Sequence, residues 1–304
     1  MKKMVGTMRW MIGLSVVGAI ALGVLPASGE ERKPIYDEDA DPVALVAAAV
    51  DRAQEDNKRV LIQWGGNWCS WCYKLHDLFR DDKAIAKTLL YEYELVLIDS
   101  KNENFARSMG TKFRGVPYLT VLDADGQKLT DQDTGSLEDG PLHDPAKVLA
   151  FLEKWTPEPV DALEVLERAK AQAKTDDKLI FVHFSAPWCG WCRKLEAFLD
   201  REDVSAILSR RYLIVKIDQE RMLNGAKLRE SIPRGSGGVP WHAVLDADGA
   251  ALVTATGPQG NIGYPVAPRE IAHFMSMLRD TRGDLSDADL DVIQRVLTEF
   301  AKKK

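Results

Sequence analysis

The feature that most constrains this chain is that it repeats itself. Trp68-Cys69-Ser70-Trp71-Cys72-Tyr73-Lys74-Leu75 returns as Trp188-Cys189-Gly190-Trp191-Cys192-Arg193-Lys194-Leu195, 120 positions later. Gly115-Val116-Pro117 returns as Gly238-Val239-Pro240, and Val121-Leu122-Asp123-Ala124-Asp125-Gly126 returns letter for letter at 244–249, both at an offset of 123. The offset grows because Arg234-Gly235-Ser236-Gly237 lengthens the loop before the second proline. Segments repeated in the same order at nearly fixed spacing mean two copies of one fold, with a period far too long for a solenoid. The 304 residues suit two domains of ordinary size.

Each copy reads alike. Asp41-Pro42 starts a helix running to about Asn57, with Asp as cap and Pro at the first position. Arg59 to Trp64 is a β-rich run, the cysteine motif opens a helix to about Phe79, and Tyr93 to Asp99 is a second buried strand. Tyr118–Leu122 and Gln127–Thr130 flank the turn at Asp123-Ala124-Asp125-Gly126, and Asp144-Pro145 caps a closing helix to Trp155. The matching pieces of the second copy are 161–174, 179–184, 189–199, 212–218, 241–245, 250–255 and 268–279. The order α-β-α-β-(α)-β-β-α is an α/β sandwich with one hairpin. The domains are placed at 36–156 and 157–280, joined near Thr156-Pro157-Glu158-Pro159. Residues 281–304 form a tail in which Ser286 caps a helix over 287–302. Its Leu290, Ile293 and Leu297 face should pack on the second domain, and its terminal lysines suit a helix C-terminus.

Charge and the amino terminus narrow the setting. The formal net charge is −6, and Lys2, Lys3 and Arg9 are the only charges before Glu30, so the body carries −9. Such a body repels phosphate backbones, which makes nucleic acid an unexpected partner. A basic start, an apolar run from Trp10 to Leu25, the break at Pro26 and the small residues Ala27-Ser28-Gly29 outline a signal peptide over 1–29. This places the body outside the cytoplasm (periplasmic or otherwise extracytoplasmic), with no stable membrane insertion after cleavage. The competing reading is an uncleaved membrane anchor.

The chemistry is carried by the four cysteines, all of them in the two motifs. Cys69 and Cys189 fall at a helix start, where free amide N–H groups and the helix dipole favour a thiolate. Cys72 and Cys192, three residues on, share the helix face and can close a disulfide. The first of each pair is expected to be exposed and nucleophilic, the second to resolve a mixed disulfide. A zinc site would need two hooks 117 residues apart, against roughly 15–20 in common zinc sites. His76, His143, His242 and His273 show no paired ligand spacing, and Asp123-Ala124-Asp125-Gly126 lacks the acids of a calcium loop. Neither a metal nor a cofactor is expected.

On these residues both halves resemble the thioredoxin family: an aromatic strand ending in Trp-Cys-x-x-Cys, a helix continuing with Lys-Leu, and a Val-Pro before a strand and hairpin. The resemblance covers nearly all of 42–155 and 160–280 and implies two tandem thioredoxin-like α/β sandwich domains, each a mixed sheet flanked by helices, plus the C-terminal helix. It also implies that Pro117 and Pro240 are cis and face the disulfide. Val116-Pro117 and Val239-Pro240 would then form the loops that hold substrate backbone by strand addition. Trp68 and Trp188 match the family's site-flanking tryptophan, while Trp71 and Trp191 either form an apolar platform or cover the disulfide.

The departures are informative. The spacers Ser70-Trp71 and Gly190-Trp191 match neither the Gly-Pro of reducing thioredoxins nor the second-position His of oxidases and isomerases. The family's buried acid is replaced by Gln63 in one half and His183 in the other. Lys216 falls near a family lysine that the first half replaces with Leu97. His183 is a candidate proton acceptor for the resolving thiol, and a histidine titration near neutral pH is expected in the second site's rate. The implied activity is an exported thiol–disulfide oxidoreductase acting on disulfide- or thiol-containing proteins and served by a membrane or soluble thiol donor. A binding or chaperone module with structural disulfides, and a maturation factor for one exported client, are the alternatives.

Overall fold

In each repeat the chain is organised around one strand that is buried on both faces. In the computed structural model, which describes Met1, residues 32–235 and residues 237–302, both repeats belong to one unit that begins at Ile35. The basic and apolar amino-terminal stretch and its cleavage position lie outside the described residues.

The first repeat runs α1 (Pro42–Asp56), β1 (Arg59–Gly65), α2 (Ser70–Asp81), α3 (Lys83–Glu92), β2 (Tyr93–Asp99), α4 (Glu103–Ser108), β3 (Tyr118–Leu122) and β4 (Lys128–Asp133). A small hairpin, β5 (Glu138–Asp139) and β6 (Leu142–His143), precedes α5 (Pro145–Lys154). The sheet order is β2-β1-β3-β4, with β1 parallel to β2 and every other neighbour antiparallel. Alternation along β1 splits the core in two. Leu61 joins Leu75, Phe79, Ile85 and Val148 under α2, α3 and α5. Val60, Ile62 and Trp64 join Val46, Ala49 and Ala53 under α1. The buried indole of Trp64 is satisfied, since its Nε1 donates to Thr120 Oγ1 at 3.0 Å.

The second repeat runs α6 (Ala162–Asp176), β7 (Leu179–Ser185), α7 (Gly190–Leu199), α8 (Glu202–Leu208), β8 (Tyr212–Asp218), α9 (Gly225–Ser231), β9 (Trp241–Leu245) and β10 (Ala251–Thr254). The small hairpin β11 (Thr256–Gly257) and β12 (Gly260–Asn261) then leads to α10 (Pro268–Thr281) and α11 (Asp287–Lys302). Its sheet, β10-β9-β7-β8, repeats the first. Local chemistry sets the ends of these elements. Asp41 Oδ1 caps α1 by accepting from Val43 N at 2.9 Å, and Asp123 Oδ1 closes the β3–β4 turn by accepting from Asp125 N and Gln127 N. Gly126 in that turn has a φ of 77°, which favours glycine.

Two helices lie beyond what the sequence pattern signals. The sequence reading passes directly from the cysteine helix to the next strand, whereas α3 and α8 fill those connections, burying Ile85 and Leu89 in one repeat and Val204 and Leu208 in the other. The final helix packs as its apolar face predicts. Leu290, Ile293, Val296 and Leu297 enter the core with Phe198, Phe274 and Leu278. Ser286 and Asp289 cap it reciprocally, Asp289 N donating to Ser286 Oγ at 3.2 Å and Ser286 N to Asp289 Oδ2 at 2.8 Å. Leu297→Ala should therefore cost the second repeat about 2–5 kcal/mol in denaturant unfolding, as core leucine truncations do. A cost below half a kcal/mol would mean that the helix is an appendage.

Candidate active sites

Both cysteine pairs sit where a buried central strand meets a helix N-terminus, and both are disulfides with Cα–Cα distances of 5.3 Å. The first cysteine is itself the N-cap. Cys72 N donates to Cys69 Sγ at 3.1 Å, and Cys192 N donates to Cys189 Sγ at 3.1 Å. A sulfur in this position receives an orphan amide and the positive end of the helix dipole, the setting that lowers a thiol pKa once the pair is reduced.

The expected exposure of the first cysteines does not hold for the disulfide form: Cys69 is 5% exposed and Cys189 2%. The cover is tertiary. Cys69 Sγ lies 3.6 Å from Val116 O, and Val239 packs on Cys189 and Cys192. The Val116–Pro117 and Val239–Pro240 bonds are both cis. Each disulfide is thus roofed by the Val-Pro loop of its own repeat.

The tryptophans divide into two kinds. Trp68 and Trp188 are 74% and 53% exposed at the rim of each site. Trp68 folds over Gly66, where an added Cβ would sit 2.5 Å from its Nε1. Trp188 is held within its own repeat, its Nε1 donating to Glu220 Oε1 at 2.8 Å, and Tyr91 on α3 of the other repeat donates to Glu220 Oε2. Trp71 and Trp191 instead lean on their own repeats. Trp71 meets His143 edge-on at 5.2 Å with Lys74 Nζ over its ring, and Trp191 stacks on Tyr264 at 6.2 Å with Lys194 Nζ over its ring.

Beneath the disulfides the two repeats differ. Gln63 Nε2 donates to Cys72 O at 3.2 Å and to the hydroxyl of Tyr36 at 2.7 Å. Tyr36 precedes α1 and is clamped by Asn67, whose Oδ1 accepts from Ile35 N and Tyr36 N, both at 3.0 Å. Asn67 Nδ2 donates to Tyr36 O and to Glu38 Oε1. Neither Tyr36 nor Asn67 stands out in the sequence. The one signal available was Gly65, where the second copy has Ser185.

In the second repeat His183 occupies the position of Gln63 and pairs across the sheet with His242, where the first repeat pairs Gln63 with Leu119. Burial, and then the charge of Lys216, push the His183 pKa down to about 3. Burial, with His183 and His273 adding to it, pushes His242 to about 3 as well. His183 is therefore neutral and weakly basic, and the histidine titration expected near neutral pH is not what this site supports. Lys216 reaches out of its repeat, donating to Asp56 Oδ1 on α1 at 2.7 Å and to Glu196 Oε2 at 3.0 Å. Burial alone would lower its pKa, but those two carboxylates outweigh burial and raise it.

The histidine pair has a stability consequence. The unfolded chain protonates both rings near their ordinary value of 6.5, whereas the folded chain resists until about 3. Stability is therefore full above 6.5 and is lost as pH falls towards 3. Denaturant unfolding at stepped pH should show this loss in the second repeat. Replacing the pair with the first repeat's residues, His183→Gln with His242→Leu, should flatten it. An unchanged slope would contradict the assignment.

Comparison with known proteins places this architecture. Residues 41–124 and 161–247, together more than half of the chain, match a family model described as Thioredoxin-like. The chain is 26% identical over 167 residues to a probable protein disulfide-isomerase A4 of Caenorhabditis elegans, covering 53% of this chain and 24% of that one. It is 23% identical over 223 residues to protein disulfide-isomerase tigA of Aspergillus niger, covering 65% and 56%. It is also 23% identical over 140 residues to the disulfide bond reductase DsbH of Chlamydia pneumoniae, covering 40% and 84%. The match thus spans only about a quarter to a half of the two isomerases. The solved disulphide isomerase from Xylella fastidiosa Temecula1 aligns with 40% of this chain and 96% of its own at 24% identity and a TM-score of 0.37.

Proposed function

We propose that this chain, which belongs to the thioredoxin-like family, is a thiol–disulfide oxidoreductase with two active sites, Cys69–Cys72 and Cys189–Cys192, acting on extended protein segments. The observation that carries the reading is the coincidence, in both repeats, of a cysteine N-cap, its disulfide partner one turn on, and a Val-Pro loop roofing the sulfurs.

In the reduced state the thiolate of Cys69 or Cys189 attacks a substrate disulfide. One substrate sulfur leaves as a thiolate and the other stays bonded to the enzyme. Cys72 or Cys192 then attacks that first cysteine's sulfur, expels the second substrate thiolate and closes the enzyme disulfide. Two electrons pass to the substrate as thiols, and a thiol donor restores the enzyme pair. Run backwards, the same steps oxidise a substrate dithiol. The backbone of Val116 and Val239 would pair with an extended substrate strand, and the exposed rims of Trp68 and Trp188 would take apolar side chains beside it. Among the described residues no helix is long and apolar enough to cross a membrane. Export rests on the basic and apolar amino terminus, with Glu30 as the first mature residue.

The test is insulin reduction with dithiothreitol as thiol donor. The chain should accelerate it, Cys69→Ser/Cys72→Ser and Cys189→Ser/Cys192→Ser should each retain one active site, and the fourfold serine variant should fall to the uncatalysed rate. A fourfold variant as active as the parent would mean that the disulfides are structural and that the tryptophan rims serve binding alone.

A further inference from the structure

We infer that Tyr36, which precedes the first element shared by the two repeats, donates a hydrogen bond to the Cys72 thiolate of the first site and takes over the task for which that repeat lacks an acid. The inference rests on the thiol–disulfide reading above.

Resolution needs Cys72 as a thiolate, and Cys72 is fully buried, so desolvation opposes the charge. Gln63 cannot relieve it. An amide nitrogen has two donors, and those of Gln63 are committed to Cys72 O and to the Tyr36 oxygen. The Cys72 carbonyl also fixes which end of the amide faces that way, because the flipped group would set oxygen against oxygen. The Tyr36 oxygen is therefore an acceptor towards Gln63, and its own O–H is left to point elsewhere. What borders it is the sulfur. A Cβ built on Gly65 would lie 2.1 Å from the Tyr36 hydroxyl and 2.7 Å from Cys72 Sγ, so both atoms border the empty side-chain position of Gly65. Tyr36 is 2% exposed and packs with Cys69 and Cys72, and Ile35, Trp71, Leu97 and Val116 close the apolar part of the wall.

The titratable groups facing the hydroxyl are Asp99 at the end of β2 and Tyr73 on α2. Burial raises the Tyr36 pKa above its ordinary value, both of these neighbours add to the rise, and the Gln63 bond opposes it. The hydroxyl therefore stays protonated and acts as a donor. All the hydrogen-bonding capacity shown for Asn67 is spent on fixing this strap immediately before Trp68-Cys69. The second repeat is built differently. Ser185 fills the place of Gly65 and Pro187 that of Asn67, and its cysteines pack with Ala186 and Val239.

In the step itself, the Cys72 thiolate attacks Cys69 Sγ of the mixed disulfide. The Cys69–substrate bond breaks, the substrate sulfur leaves with the electron pair as a thiolate, and the Cys69–Cys72 bond forms. Tyr36 keeps its proton throughout and only stabilises the attacking charge before it is spent.

The experiment uses the full chain carrying Cys189→Ser and Cys192→Ser, reduced and mixed with dithionitrobenzoate in a stopped-flow instrument. Attack by Cys69 releases one thionitrobenzoate and resolution by Cys72 releases the second, so the two phases separate the steps. Tyr36→Phe, which keeps the ring and removes the donor, should slow the second phase relative to the first by about tenfold at neutral pH, the effect of losing a hydrogen bond to a charged group. It should also move that phase's pH midpoint upward by about one unit, so that the rates converge at high pH. Asn67→Ala, which frees the strap, should shift the midpoint the same way. A second phase unaltered by Tyr36→Phe, or slowed equally at every pH, would overturn the inference. A parent that shows no second phase would instead overturn the redox reading of the site.

Discussion

The structure depends on a single hydrogen bond made twice: the amide of the second cysteine donating to the sulfur of the first. For that bond to exist, a helix must begin at Cys69 and at Cys189, and a buried strand must deliver the chain to that point. The apolar runs of β1 and β7 are the centres of their sheets because they lead there, and α2 and α7 are anchored by Leu75 and by Leu195 and Phe198 because they start there. The layers of helices are the apparatus that keeps two sulfurs at a helix N-terminus under a Val-Pro roof. A thiolate formed there would be stabilised by dipoles already in place.

Duplication repeats that arrangement but not its surroundings. Under the first disulfide the chain places Gln63 and borrows Tyr36 from upstream; under the second it places a neutral, buried His183 beside His242 and reaches across to Asp56 through Lys216. Trp188 is likewise tied through Glu220 to Tyr91 of the other repeat. Each site is thus completed by residues outside its own repeat. The two repeats meet along a polar seam in which Arg221 donates to Asn57 O at 2.8 Å and pairs with Glu92 at 3.0 Å. Such a seam holds the repeats in register through directed bonds rather than through a shared apolar core.

What was legible in the sequence is what local periodicity and repetition encode. The strands 93–99, 118–122, 212–218 and 241–245 and the helix 287–302 stand where their patterns put them, and the Val-Pro loops come to the cysteines. The missing pieces are tertiary. Helix α3 carries Ile85 and Leu89 one turn apart, a pattern too short to stand out until α5 supplies the surface it covers. The burial of Cys69 and Cys189 comes from a loop some 50 residues further along the chain. In the sequence His183 is open to two readings, a proton acceptor or a core histidine, and its burial beside Lys216 keeps it neutral. Tyr36 precedes the first element shared by the two repeats, and a glycine standing opposite a serine was its only trace.

The claim at the centre of this account is that the helix N-terminus makes the first cysteine of each pair an activated thiolate. The measurement that tests it most directly is the pH dependence of iodoacetamide alkylation of the fully reduced protein, read cysteine by cysteine by mass spectrometry. The account predicts that Cys69 and Cys189 are modified first, with midpoints clearly below the ordinary thiol value of about 8.5. Equal labelling of Cys72 and Cys192, or midpoints at or above that value, would contradict it.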